Sequence, residues 1–152
     1  MSWNLEVVAV RTDHPDDAVP DVFVPEEASM CFEDATSVSR APGLCAAQVG
    51  EWVLVIDVDC RLSGHAGYLA EASESTELHL VRIAGSPYDP VILHYRDGRP
   101  IVAAHDLAAC LEIAPCDYED GETVAMTYLR ESTGVSFGGD EMFDAKYTLY
   151  LP

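Results

Sequence analysis

Between Glu51 and Val58 the chain reads EWVLVIDV, too short a run for a strong helix signal and too uniformly apolar for a half-exposed edge. The segment belongs in the centre of a sheet, so the rest of the chain must supply its neighbours. Asn4 to Arg11 (NLEVVAVR) is one candidate, β-branched in its middle, with Leu5, Val7 and Ala9 on one face. Glu77 to Ile83 (ELHLVRI) is another, alternating Leu78, Leu80 and Arg82 against His79, Val81 and Ile83. The strongest local signal is VILHYR-DG-RPIVAA over Val91–Ala104, because Asp97-Gly98 supplies the positive φ angles of a tight hairpin turn. Pro100 cannot donate to a ladder, which places its strand at an edge or leaves that position unpaired.

Helices are expected where the period lengthens. Gly64–Ser73 turns Tyr68, Leu69 and Ala72 inward, and His105-Asp106 opens a helix to about Ile113, which Pro115 stops. Glu122–Thr133 fits either period, and Gly134 decides for helix as a left-handed cap, with Glu122 and Arg130 complementing the dipole. A short helix is expected within Ser29–Ser39, an extended loop over residues 12–27 with its three prolines, and a final strand over Lys146–Leu151. The pattern is α+β: one acidic domain over residues 1–152, mainly antiparallel sheet with two to four short helices. No internal repeat is visible.

A chain of 152 residues with 49% hydrophobic content buries a core without help from a metal or disulfide. Its five cysteines, an odd number without a CxxC pair, read as reduced and mostly buried thiols. The opening MSWNLEVVAVRTDHPDD has no basic stretch before an apolar run, and nowhere do about eighteen apolar residues follow one another. Export and membrane insertion are not expected, and the expected location is the cytoplasm.

Charge is the dominant compositional feature: 27 acidic residues against 8 basic ones, net −19, with Lys146 the single lysine. Such a field repels nucleic acid and anionic lipid and speeds encounter with a basic protein. The same excess also serves solubility in proteins of high-GC or saline sources, so the composition by itself has two readings.

The order EWVLVIDVDCRLSG, YLAEAS, ELHLVRI, VILHYRDGRPIVAAHD and TVAMTYLRESTGVSF resembles a family of small, functionally uncharacterised proteins found mainly in actinomycetes. The likeness covers roughly residues 50–137: a Trp-Val-Leu strand, a hydrophobic strand, an aromatic-rich strand ending in Asp-Gly-Arg and a late helix closing on Thr-Gly-Val. It implies a single α+β domain and a high-GC source. It implies no catalytic residues, and the charged first fifty residues and long tail depart from it.

Chemistry-bearing residues are sparse in pattern. Asp57 and Asp59 form a DxD at the exit of the apolar strand, able to offer paired carboxylates to Mg²⁺ or Ca²⁺, although the same acids at a strand end are ordinarily solvated. No histidine pair has HxH, HxxxH or HExxH spacing, which argues against zinc; His79 and His94, in neighbouring strands, face one another or sit separately as satisfied histidines. Cys110 with His105 fits a buried helix cysteine beside a cap better than a thiolate and its base. GxxxxGK[ST], GxGxxG after a strand, and a basic stripe with aromatics are all missing.

What remains are acid-rich surfaces. The expected partner-binding residues are Asp16, Asp17, Asp21, Tyr118, Glu119, Asp120, Asp140 and Glu141, since acids steer and neighbouring aromatics anchor. The expectation is a non-enzymatic protein without a cofactor that binds a basic protein partner, and neither nucleic acid nor membrane. Its most specific form is an immunity or antitoxin-like protein masking a nuclease toxin. The alternatives are a small ligand- or metal-binding domain or enzyme with an acidic pocket around Asp57, Asp59 and His94, and a DNA mimic with carboxylates spaced like phosphates.

Overall fold

The computed structural model describes residues 3–37, 39, 42–117 and 120–152, with Ala28 described by its backbone alone. Eight strands, β1 (Asn4–Arg11), β2 (Val24–Met30), β3 (Leu44–Val49), β4 (Trp52–Asp57), β5 (Glu77–Ala84), β6 (Val91–Arg96), β7 (Arg99–Ala104) and β8 (Tyr147–Leu151), form one sheet in the order β2-β8-β3-β4-β1-β5-β6-β7. Every pairing in it is antiparallel. The α+β class is therefore as the pattern indicates.

β1 and β4 lie side by side in the middle, Val7 opposite Ile56 and Val8 opposite Val55. The apolar run of β4 has a plain cause: all six of its residues are buried, and successive side chains enter two different cores. On one face Leu5, Val7, Leu54, Ile56, Val81 and Ile83 pack under α3 (Leu107–Ile113) and α4 (Gly121–Thr133). The same core continues to α1 (Phe32–Ala35) and α5 (Asp140–Asp144) through Phe32 and Met142. On the other face Val8, Val10, Val53, Val55, Leu78 and Leu80 pack under α2 (Ala66–Ala72) and two 3₁₀ turns, Pro15–Ala18 and Leu62–Gly64. These are called the α4 face and the α2 face.

Local signals explain the element ends. Asp97 and Gly98 turn the β6–β7 hairpin with φ of 51° and 78°, and Pro100 lies in β7 at the sheet edge. Asp106 and Asp120 accept from Ala109 N and Thr123 N at the starts of α3 and α4, and Gly134 caps α4 in the left-handed region.

Three expectations are corrected. The extended loop ends at Phe23, because Val24–Met30 joins the sheet as β2 beside β8. The helix within Ser29–Ser39 shrinks to the single turn of α1, its first two residues belonging to β2. Five helices are present among the described residues, one more than the expected range, because DEMFD folds as α5 and buries Met142. No helix among the described residues is long and apolar enough to cross a membrane.

Candidate functional site

On the α2 face an open cleft of about 880 Å³ runs between residues 12–22 and α2. Its apolar floor includes Val10, Val19 and Tyr68, and the Tyr68 hydroxyl donates to the Ala18 carbonyl, tying the loop to the helix. Around that floor stand five carboxylates, Asp13, Asp17, Asp21, Glu71 and Glu74, all exposed, with Arg11 as the one fixed cation among the lining residues. Thr76 Oγ1 donates to Arg11 O at 2.6 Å and joins the end of β1 to the turn after α2. Acids from two separate elements thus converge on one concave surface.

The acids expected to bind a partner divide into separate groups. Asp17 and Asp21 line the cleft. Asp16 stands beside it and accepts from the Tyr150 hydroxyl at 2.7 Å; burial and this carboxylate push the phenol upward. Asp140 and Glu141 begin α5 on the opposite face, and Asp120 is spent on Thr123, accepting from its N–H and its hydroxyl. Tyr118 and Glu119 lie outside the described residues. Glu71 and Glu74 were not anticipated as part of the surface.

Asp57 and Asp59 have unlike environments. Asp57 is 2% exposed, and its carboxylate accepts from Asp59 N, Arg61 N and Leu62 N at 2.9, 2.6 and 3.0 Å, organising the turn after β4. Asp59 is exposed. Asp57 shares the α2 face with Val53 and Val55, whereas His94 shares the α4 face with Ile92, so the sheet separates them. Next to Asp57, Glu6 is fully buried and pairs with Arg82, while Ser63 N donates to its other oxygen at 2.9 Å. The nearby Cys60 thiol is pushed up to about 12 by burial and then by Glu6.

The α4 face holds a different constellation. His79 in β5 stands opposite His94 in β6, their rings stacked at 4.2 Å with 17° between planes. Glu77, two residues before His79 on the same side of β5, reaches His94 Nε2 with Oε2 at 3.4 Å. His79 Nδ1 is hydrogen-bonded to the Tyr128 hydroxyl of α4 at 2.7 Å, and the Trp52 ring lies 5.6 Å away. His79 is only 5% exposed, and burial followed by the neighbouring His94 lowers it to about 4. Burial alone would raise the Glu77 carboxyl, but hydrogen bonds from Arg96 and His94 and the nearby charges leave it below the usual range. Among the described residues this is the group that brings three potential ligand atoms within 4.8 Å of one another.

Cys110 is buried, its Sγ directed at the Pro90 and Ala104 carbonyls at 3.7 and 3.9 Å, and burial pushes it up to about 11. That is the environment of a packed thiol rather than a nucleophile. No protein-family model, no curated protein and no solved structure matches the chain.

Proposed function

We propose that the protein is a non-enzymatic binding protein that receives a cationic segment of a basic protein partner in the acid-lined cleft on the α2 face. The observation that carries this reading is the convergence of Asp13, Asp17, Asp21, Glu71 and Glu74 on one apolar-floored concavity. A net charge of −19 adds long-range attraction for such a partner. In its specific form the protein is an immunity or antitoxin-like factor of the cytoplasm, and the partner is a basic toxin such as a nuclease that the cleft masks. Arg and Lys side chains suit the cleft because their aliphatic stems lie on apolar surface while their charged ends meet carboxylates.

The test is capture from source cells at low ionic strength, release by a salt gradient and identification by mass spectrometry. The double variant Asp17→Lys/Glu71→Lys is expected to weaken the recovered partner's binding at least about tenfold. Asp140→Lys/Glu141→Lys, on the other face, is expected to leave it within about twofold after correction for net charge. Binding that ignores salt, or that responds equally to both variants, rejects the reading.

A further inference from the structure

The constellation on the α4 face lies across the sheet from the cleft and shares with it the exposed Arg11. The geometry points to a divalent transition-metal site formed by Glu77, His79 and His94, with Zn²⁺ as the ion its donors suit.

Two imidazoles and one carboxylate are the donor set of open, three-ligand zinc sites, in which solvent or a further ligand completes the coordination. An ion held at about 2.0–2.1 Å needs its donor atoms about 3.4 Å apart in a tetrahedral arrangement. His94 Nε2 and Glu77 Oε2 already stand 3.4 Å apart. One donor atom from each residue lies within 4.8 Å of the others, and because imidazole lone pairs lie in the ring plane, closure on an ion requires His94 to turn out of its stack on His79 while the donors approach by about 1.4 Å.

The surroundings fit the same chemistry. The Tyr128 hydroxyl occupies Nδ1 of His79, which leaves Nε2 for the ion and fixes the ring's rotation; zinc-bound histidines are regularly anchored through their second nitrogen in this way. His79 is held neutral, the form that can donate a lone pair. Arg96 and Arg11 also touch Glu77, at 2.9 and 3.8 Å, but their side chains are 59% and 53% exposed. Ion pairs of that exposure are worth about 0–1 kcal/mol and yield readily to a metal–carboxylate bond. The surplus of acid raises the local cation concentration.

The test is a titration of the chelator-stripped protein with Zn²⁺ alone near neutral pH, in competition with a chromophoric chelator, together with the absorption spectrum of the Co²⁺-loaded protein. One equivalent is expected to bind tightly, and the Co²⁺ spectrum is expected to lack thiolate charge-transfer bands. Glu77→Gln and His94→Ala are each expected to weaken that equivalent by about a hundredfold or more, and Tyr128→Phe by about tenfold through loss of the His79 anchor. Far-ultraviolet circular dichroism without metal verifies that each variant is folded; should His94→Ala unfold, Glu77→Gln and Tyr128→Phe decide. Absence of stoichiometric binding, a thiolate band, or an affinity that survives Glu77→Gln overturns the site.

Discussion

Glu6 and Arg82 face each other across β1 and β5, and Arg82 gives both Nε and one terminal nitrogen to the same Glu6 oxygen, at 3.0 and 2.8 Å. The carboxylate is wholly buried while the guanidinium is 27% exposed, so the pair is asymmetric: removing the arginine strands a charge, whereas removing both ends strands little. Arg82→Met is expected to cost about 3–5 kcal/mol in urea unfolding, made worse by Asp57 opposite Glu6 on the other side. The double variant Glu6→Leu/Arg82→Met is expected to recover at least about 2 kcal/mol of that loss. A double variant no more stable than the single one contradicts this account.

Acid weakens the fold through the histidine cluster. His79 binds its proton only near pH 4 in the folded chain but near 6.5 when unfolded. Between those values the unfolded state therefore holds more protons, and stability falls as pH falls. Glu77, whose carboxyl lies low in the fold, acts with the same sign at still lower pH. In chelator-containing buffer the loss is expected to be on the order of 2 kcal/mol from pH 6.5 to 4. His79→Gln is expected to flatten the slope in equilibrium unfolding measured across that range.

Thiol chemistry separates the cysteines by environment. Cys31 is exposed, whereas burial pushes Cys60 up to about 12 and Cys110 up to about 11, which leaves both protonated at neutral pH. A disulfide reagent at neutral pH is expected to show a fast phase that disappears in Cys31→Ser and persists in Cys60→Ser and Cys110→Ser. The Cys110 thiol is expected to react only on unfolding, as read by mass spectrometry of the labelled peptides.

The glycines at the two ends of α4, its first residue Gly121 and the cap Gly134, carry opposite expectations in size. Gly121 opens the helix where an added Cβ would run into the Ala84 carbonyl and the Pro90 ring. Alanine is the better helix former by about 1 kcal/mol, but the collision with strand backbone outweighs it, and Gly121→Ala is expected to destabilise by about 2 kcal/mol. Gly134, at φ 78°, has open space around it, so Gly134→Ala is expected to cost only about 1 kcal/mol in backbone strain. Thermal unfolding of the two variants side by side gives the comparison.

Most of the sheet was legible from local pattern. β1, β4, β5 and the β6–β7 hairpin announce themselves by alternation, apolar runs or turn chemistry, and Tyr147–Leu151 by its alternation of aromatic and aliphatic residues. β2 and β3 did not. β2 contains Pro25, Glu26 and Glu27, tolerated because the strand is an edge with one partner. β3 is rich in alanine, and its extended form comes from lying between β8 and β4, a tertiary cause that no local propensity carries. The sites were legible to the same degree. Asp17 and Asp21 stood out in an acidic run, but Glu71 and Glu74 join them only through the approach of α2. Period two put Glu77 and His79 on one side of β5, yet the register that seats His94 beside both depends on the strand pairing, which alternation alone does not determine.

The place of β8 between β2 and β3 has a consequence for the order in which the molecule is built. β2 is made before β8, yet among the described strands β8 alone is its neighbour in the sheet, so it waits unpaired until β8 has been made. Until then β3 is an open edge beside the apolar β4, and the nascent chain is at its most prone to self-association. Closure of this non-local seam, rather than formation of the hairpin, is expected to be the slow event in reaching the native state.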